Sequence, residues 1–336
     1  MPFLSRDPGF APKRPVFAVV LANTMLSTVP GISGAGPTPE TTLFTPNLDA
    51  ELVATGRISS TAAKPDTPTG CPTPSTITRS MMALTGVPHL FINAGLVQDP
   101  VVPCLDVYGS PGADPRFSNA VEGAHALYER GRLLGAFLSG CSDMLVLGEC
   151  VPGGTTTALC VLRALGYDAR VSSSFVANPH SQKDEVCRAV LERIGHDPDR
   201  HPLDVVRACG DPMIAVAAGI CSSYTGQVVL AGGTQMLAVA AVLKALALPL
   251  PPVATTAYVR DDTSANFVDT ARAVGVDAYY VDPAFGDLGH AGLARYCIGE
   301  VKEGMGAGGA LFLAALLGHA PQAITRAILD YVAGYS

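Results

Sequence analysis

The chain has no tryptophan, and aromatic residues make up only 6% of its 336 positions. A core must then be packed from Ala, Val, Leu, Ile and Gly, and such small side chains suit helices lying close on a buried parallel sheet. Charge is scarce as well. Asp, Glu, Lys and Arg are 15% of the chain against 48% hydrophobic residues, which implies a large buried fraction extended by an oligomer interface. No Lys/Arg cluster accompanies the net charge of −7, so nucleic acid and anionic membrane are excluded as partners. The nine Cys form no C-x-x-C pair and several lie inside apolar runs. That pattern reads as buried free thiols in a reducing, cytoplasmic compartment, without disulfides or a zinc site. GxSxG, HExxH and Walker A signatures are all missing, which disfavours serine hydrolases, zincins and P-loop enzymes. Long unbroken apolar spans are missing too. Val16–Ala22 is short and reads as a buried first strand, although Arg6, Lys13 and Arg14 before it faintly imitate a signal peptide. Pro212–Leu243 carries no charge, but Gly219, the Ser222–Gln227 turn and Gly232-Gly233 break it. It reads as helix, turn, buried strand, turn and helix rather than a membrane span.

What is present is alternation. Short Val- and Ile-rich runs predict strands at Val16–Ala22, His89–Ile92, Met144–Leu147, Ala169–Ser172, Val228–Ala231, Val253–Val259 and Ala278–Val281. Helical patterns fall between them at Asn119–Ser139, Thr156–Leu165, Gln182–Ile194, Pro212–Cys221, Thr234–Leu246 and Ser264–Val274. Two helices close the chain, Met305–Leu317 and Pro321–Val332, the first apolar enough to be buried or to form an interface. The fold class expected is α/β, a doubly wound, mostly parallel, Rossmann-like sheet with flanking terminal helices. Residues 1–336 form a single catalytic domain, with room for a small helical subdomain built from the N- and C-terminal segments. Pro30–Thr45 and Ser59–Thr78 are rich in Pro, Gly and Thr, and long loops of this kind in a compact domain are often functional.

Two constellations carry chemistry. In Met144 to Ala158 an apolar strand ends at Gly148-Glu149, a Pro152-Gly153-Gly154 turn follows, and Thr155-Thr156-Thr157 opens a helix. Glycines let backbone approach a ligand, and the helix start with its Thr hydroxyls favours an anion such as phosphate. A Thr-capped helix after an ordinary turn is the alternative. Glu149 stands at the carboxyl end of a strand, where open α/β sheets place their ligands. The second constellation runs from Gly299 to Ala310. Glu303 precedes a turn in which Gly304, Gly306 and Gly309 match GxGxxG, but no clear strand comes before it and no βαβ unit follows. Either these glycines let a helix pack tightly, or the carboxylate beside apolar walls has a raised pKa and acts as a general base. Lys183, near a helix start, is either a ligand contact or a solvated surface residue. His290 is either a ligand contact or a loop histidine.

The stretch Gly148-Glu149 to Ala158 resembles the GE-x-x-x-G-x-TT-x-A segment of the nicotinate-nucleotide–dimethylbenzimidazole phosphoribosyltransferases. Lys183 and Val186 followed by Leu191-Glu192-Arg193 are similar to that family's K-x-x-V-x-E-R-x-L helix. Gly210 to Gly219 resembles its GG-x-EIAAMAG region, with Asp211-Pro212 in place of the usual residues. Gly289-His290 is similar to its PGH turn, and Glu303-Gly304-x-Gly306-Ala307 to its terminal GEG-x-GA. These pieces keep their order over residues 140–318 and look closest to a divergent archaeal and cyanobacterial branch. Two departures stand out: Ala231-Gly232-Gly233 replaces the usual Asp-Gly, and Lys302 replaces the glycine before the terminal glutamate. The resemblance implies transfer of the phosphoribosyl group of nicotinate mononucleotide to 5,6-dimethylbenzimidazole or a related aromatic base, as in cobalamin assembly, by a homodimer without cofactor or metal. It implies Glu303 as general base, Glu149 assisting, and Gly153, Gly154, Thr155, Thr156, Lys183, Gly304 and Gly306 around the nucleotide, with His290 a further substrate contact. A phosphoribosyl-pyrophosphate-dependent transferase is the first rival, although that class shows two adjacent acids where Glu149 stands alone, and magnesium dependence separates the two. A non-catalytic nucleotide-binding protein on the same fold is the second.

Overall fold

In the computed structural model, which describes residues 2–36, 38–62 and 64–335, seven strands form one sheet. They are β1 (Pro15–Ala22), β2 (His89–Gly95), β3 (Leu105–Asp106), β4 (Met144–Cys150), β5 (Gln227–Ala231), β6 (Val253–Thr256) and β7 (Ala278–Val281). Their spatial order is β3-β2-β1-β4-β5-β6-β7, and every adjacent pair is parallel. The doubly wound sheet expected from the sequence is therefore what the chain forms. The order reverses between β1 and β4, and open α/β sheets carry their ligand crevice at such a point.

Side-chain alternation explains why both faces are covered. Along β1, Ala18, Val20 and Ala22 enter one core while Phe17, Val19 and Leu21 enter the other. The first core is closed by the helices Ala124–Cys141, Gly154–Ala164, His180–Ile194, Pro212–Ser223 and Thr234–Ala245. The second is closed by Thr45–Thr55, Pro74–Thr85, Ala307–Leu316 and Pro321–Tyr335. Helices from both ends of the chain thus share one core with the sheet. Ala307–Leu316 packs inside the chain, with Ala307 to Ala314 buried, so this helix offers no face to a second copy.

Several elements differ from expectation. Ala169–Ser172 is not a strand. Ala169 and Val171 are buried, which accounts for the apolar pattern, but β1 and β5 already occupy both sides of β4. Val253–Val259 is a strand only to Thr256, where a one-turn helix, Ala257–Arg260, begins. The helix Thr45–Thr55 was not legible, and Pro74–Thr85 starts inside the stretch read as loop. The edge strand β3 is two exposed residues and carried no signal. Both Pro-rich stretches are nevertheless largely loop, and they are pinned. Glu51 accepts from the backbone N–H groups of Ser59 and Ser60 at 2.8 and 3.1 Å, while Glu300 accepts from Thr67 Oγ1 at 2.6 Å and from Thr69.

Candidate active site

The crevice is built on the turn after β4. Gly153 lies in the left-handed region at φ 78°, and a Cβ there would lie 3.0 Å from the Ser27 backbone, so this turn seats directly on the turn after β1. A cavity of about 320 Å³ opens beside it. Its walls are Glu149 to Gly153, Thr155, Gln235, the 173–175 segment and Gly304, and both Pro-rich loops contribute through Ile32–Gly36, Asp66–Pro68 and Thr73-Pro74. A recess of about 40 Å³ adjoins it, shared by Glu149, Thr155, Gln235, Lys302 and Glu303.

One side of this space is cationic. Lys183 is fully buried, which excludes the surface reading. Its Nζ donates to Thr155 Oγ1 at 2.6 Å and to Ser173 Oγ, and among the described residues it has no carboxylate partner. Burial first, and neighbouring Lys302 second, pull its pKa down to about 7. Thr155 opens a helix whose N-cap, Gly153, supplies no side-chain cap. A desolvated cation and an uncapped helix start converging on two hydroxyls form an anion site. Lys302 is spoken for otherwise. Its Nζ donates to the carbonyls of Ser173 and Phe175 at 2.8 and 3.0 Å and pairs with Asp262 at 3.3 Å, pinning the wall segment that carries Ser173.

The other side is acidic. Glu149 is 3% exposed, and its Oε2 accepts from Val151 N–H at 3.1 Å. Burial, then the charges of Glu303 and Asp211, raise its pKa to about 8. Glu303 is raised to about 7 by burial, which its donors partly offset. Those donors are the N–H groups of Gly304 and Gly308 to Oε1 at 3.2 and 3.0 Å, and Thr255 Oγ1 and Thr256 N–H to Oε2, each at 3.3 Å. The better-solvated anion is thus Glu303. Near neutrality the pair shares about one proton, held mainly at Glu149, and Glu303 is left as the carboxylate able to accept another.

The structure separates the other predicted residues. Gly304 lines the cavity. Gly306 lies against Phe17, Gly148 and Ala231, and Gly309 against Ala231, so these two let the closing helix rest on the sheet. Gly154 leaves no room for a side chain because of Gln235, whose Oε1 would stand 1.8 Å from a Cβ, and not because of ligand approach. Thr156 is fully buried and outside the cavity wall, and Thr157 binds Asp211 at 2.5 Å. His290 is also off the wall, where it caps a one-turn helix by accepting from Leu293 N–H at 3.1 Å. Sequence reasoning missed Ser173, Gln235 and Asp49. Only Gln235 carried a signal, directly after Gly232-Gly233-Thr234.

Among the described residues one trio, His125, His201 and Asp204, stands close enough to share a metal ion. Its groups are engaged elsewhere. His125 bonds Asp204 at 2.9 Å, and His201 Nδ1 accepts from Leu203 N–H at 3.3 Å, which leaves the proton on Nε2 and no lone pair there for a metal. No helix among the described residues is long and apolar enough to cross a membrane.

No family model matches the chain. A UPF0284 protein of Methanosarcina mazei is 44% identical over 317 residues, covering 91% of both chains. Another from Thermococcus onnurineus is 45% identical over 316 residues, covering 92% of this chain and 94% of its own. Both organisms are archaea, as the motifs suggested. Among solved structures, the nicotinate-nucleotide–dimethylbenzimidazole phosphoribosyltransferase of Thermus thermophilus superposes with a TM-score of 0.62, covering 97% of this chain and 87% of that one at 18% identity. At that identity the likeness is one of fold.

Proposed function

The chain belongs to the UPF0284 protein family, and from that premise and the crevice above we propose that it is a phosphoribosyltransferase acting on nicotinate mononucleotide and an aromatic base. The observation that carries the reading is the pairing, across one crevice, of a buried cationic anion site with two carboxylates of raised pKa. The fold shared with the Thermus thermophilus enzyme supports it.

In this reading Lys183, Thr155, Ser173 and the helix start at Gly153-Gly154 hold the 5′-phosphate. The nicotinate is a pyridinium and needs no acid to leave. The acceptor's ring nitrogen bonds to the anomeric carbon as the bond to the pyridinium nitrogen breaks, and that electron pair neutralises the departing ring. The acceptor's N–H proton passes to Glu303. Glu149 faces the oxocarbenium-like carbon, where even a shared negative charge stabilises the transition state. The products are the α-ribosyl phosphate of the base, α-ribazole 5′-phosphate when the base is dimethylbenzimidazole, and nicotinate. Alignment and one proton acceptor suffice, and neither requires a metal. A cytoplasmic homodimer accompanies the proposal. The test is to incubate the protein with nicotinate mononucleotide and a panel of bases and to follow free nicotinate. Release that depends on the base supports transfer, and no release with any base rejects it.

A further inference from the structure

Alternation along β4 divides the crevice. Leu145 and Leu147 enter the first core, and Glu149 follows them by the period of two, whereas Cys150 enters the second. On that second side stands a third carboxylate, Asp49, which lines the cavity but not the recess holding Glu303. Its Oδ1 accepts from Ser75 Oγ at 2.7 Å, and Ser75 Oγ in turn lies 2.7 Å from Thr73 Oγ1. Its Oδ2 is 3.6 Å from the Cys150 thiol. Burial raises its pKa to about 6, and only these two side-chain bonds oppose that, with neither a cation nor a backbone N–H contributing. An ionised carboxylate offers about four lone-pair sites, so two donors leave it under-satisfied. The wall around it is apolar and flat, supplied by Ile32, Pro68, Pro74 and Val151. A slot of that shape takes an aromatic ring, and a carboxylate at its margin seeks an N–H or O–H on the ring's edge.

We propose that Asp49, with Ser75 and Cys150 behind it, selects as acceptor an aromatic base carrying an N–H or O–H donor on the edge remote from its reacting nitrogen. An amino- or hydroxyl-bearing ring is preferred to a methylated one. The inference rests on the phosphoribosyl-transfer reading, because the slot is the part of the cavity that the nucleotide's phosphate and the Glu149–Glu303 pair leave open. Two methyl groups at that margin would cover the carboxylate and strip its remaining solvation without replacing it, and a site built around such a group rejects the analogue lacking the donor.

The experiment measures two quantities for adenine, hydroxybenzimidazole and dimethylbenzimidazole: binding to the full chain by calorimetry, and kcat/KM for nicotinate release from nicotinate mononucleotide. The expected result is a preference of about ten- to hundredfold for the donor-bearing bases, the range of one charge-assisted hydrogen bond. Asp49→Leu should erase it, chiefly by improving dimethylbenzimidazole, and the isosteric Asp49→Asn should reduce it while keeping the fold. Equal binding of all three bases, or a preference unchanged in both variants, overturns the inference and leaves the transferase reading standing. A preference in binding that Asp49→Leu erases, without nicotinate release by any base, supports the selection by Asp49 and overturns transfer instead.

Discussion

A buried lysine surrounded by hydroxyls costs stability in the free protein and lowers that cost only when an anion arrives. Lys183→Met should therefore leave the unliganded protein at least as stable as wild type. It should also abolish the rise in melting temperature that sulfate or nicotinate mononucleotide gives wild type, and thermal scans with and without ligand check both. Because Lys183 sits near pH 7 in the free state, a bound phosphate should raise its pKa and draw in a proton above that pH. The two glutamates set the pH dependence of turnover. With Glu303 raised to about 7 and Glu149 to about 8, kcat/KM should climb as Glu303 loses its proton and level or fall once Glu149 does. A profile flat from pH 6 to 9 would count against this pair. Glu149 and Glu303 were legible because each adjoins a glycine turn where a strand or helix ends. Lys183 was legible only through resemblance, since its own neighbours Asp184 and Glu185 suggest a surface. Asp49 could not be found, because its chemistry depends on Ser75 and Cys150, which are distant in sequence.

At the level of elements, two segments position the site. The closing helix Ala307–Leu316 brings its N-terminus to Glu303 because glycines let it lie on β4 and β5. A Cβ on Gly309 would stand 2.1 Å from that of Ala231. Gly309→Ala should thus force the helix off the sheet, destabilise the fold by about 1–3 kcal/mol and weaken turnover with it, as denaturant titration beside an activity assay would show. The departure from Asp-Gly to Ala231-Gly232-Gly233 belongs here too. Ala231 is fully buried under that helix, and a side chain at Gly232, whose φ is 155°, would press on Met236. The 172–178 segment is the second. It was read as a strand because it is buried and apolar at its start, yet Lys302 and Asp262 hold it as irregular wall. Asp262 accepts from Ser172 Oγ at 2.5 Å and Asn178 Nδ2 at 2.7 Å. Periodicity reports burial. It does not report which edge of a sheet is free, and that distinction explains the error.

For the molecule as a whole, burying four carboxylates has a global consequence. Asp49 and Asp211 are raised to about 6, Glu303 to about 7 and Glu149 to about 8. Between pH 4.5 and 7 the folded chain therefore holds more protons at these sites than the unfolded one, and their contribution to stability falls as pH rises through that window. Lys183 acts in the opposite direction above about 7, where the unfolded chain holds the extra proton. The free protein should be more stable near pH 5 than near pH 7, and Glu149→Gln should flatten the difference. Melting temperatures across that range would show it. Association is a second property of the whole. Leu133 and Phe137 are 74% and 62% exposed, one turn apart on the outer face of Ala124–Cys141. A homodimer should bury this face, and sedimentation at micromolar concentration should show a dimer that Phe137→Glu dissociates. The fold was legible in outline because the alternation of apolar runs and helical patterns fixes a parallel sheet. The cavity was not, because its roof comes from two Pro-rich loops whose placement depends on single pins such as Glu51 and Glu300.

Single-turnover release of nicotinate from nicotinate mononucleotide, compared across Glu303→Gln, Glu149→Gln and Glu300→Gln with a base in excess, bears most directly on the proposed chemistry. Glutamine keeps the shape of each side chain and removes only the ability to accept the proton. Glu303→Gln should lose about 10²–10⁴-fold in rate with nucleotide binding nearly intact, the usual contribution of a general base. Glu149→Gln should lose less. Glu300→Gln, whose carboxylate only pins the second loop through Thr67, Thr69 and Arg295, should release nicotinate at close to the wild-type rate. Near-normal release by Glu303→Gln, with either of the other two inactive, would contradict the account.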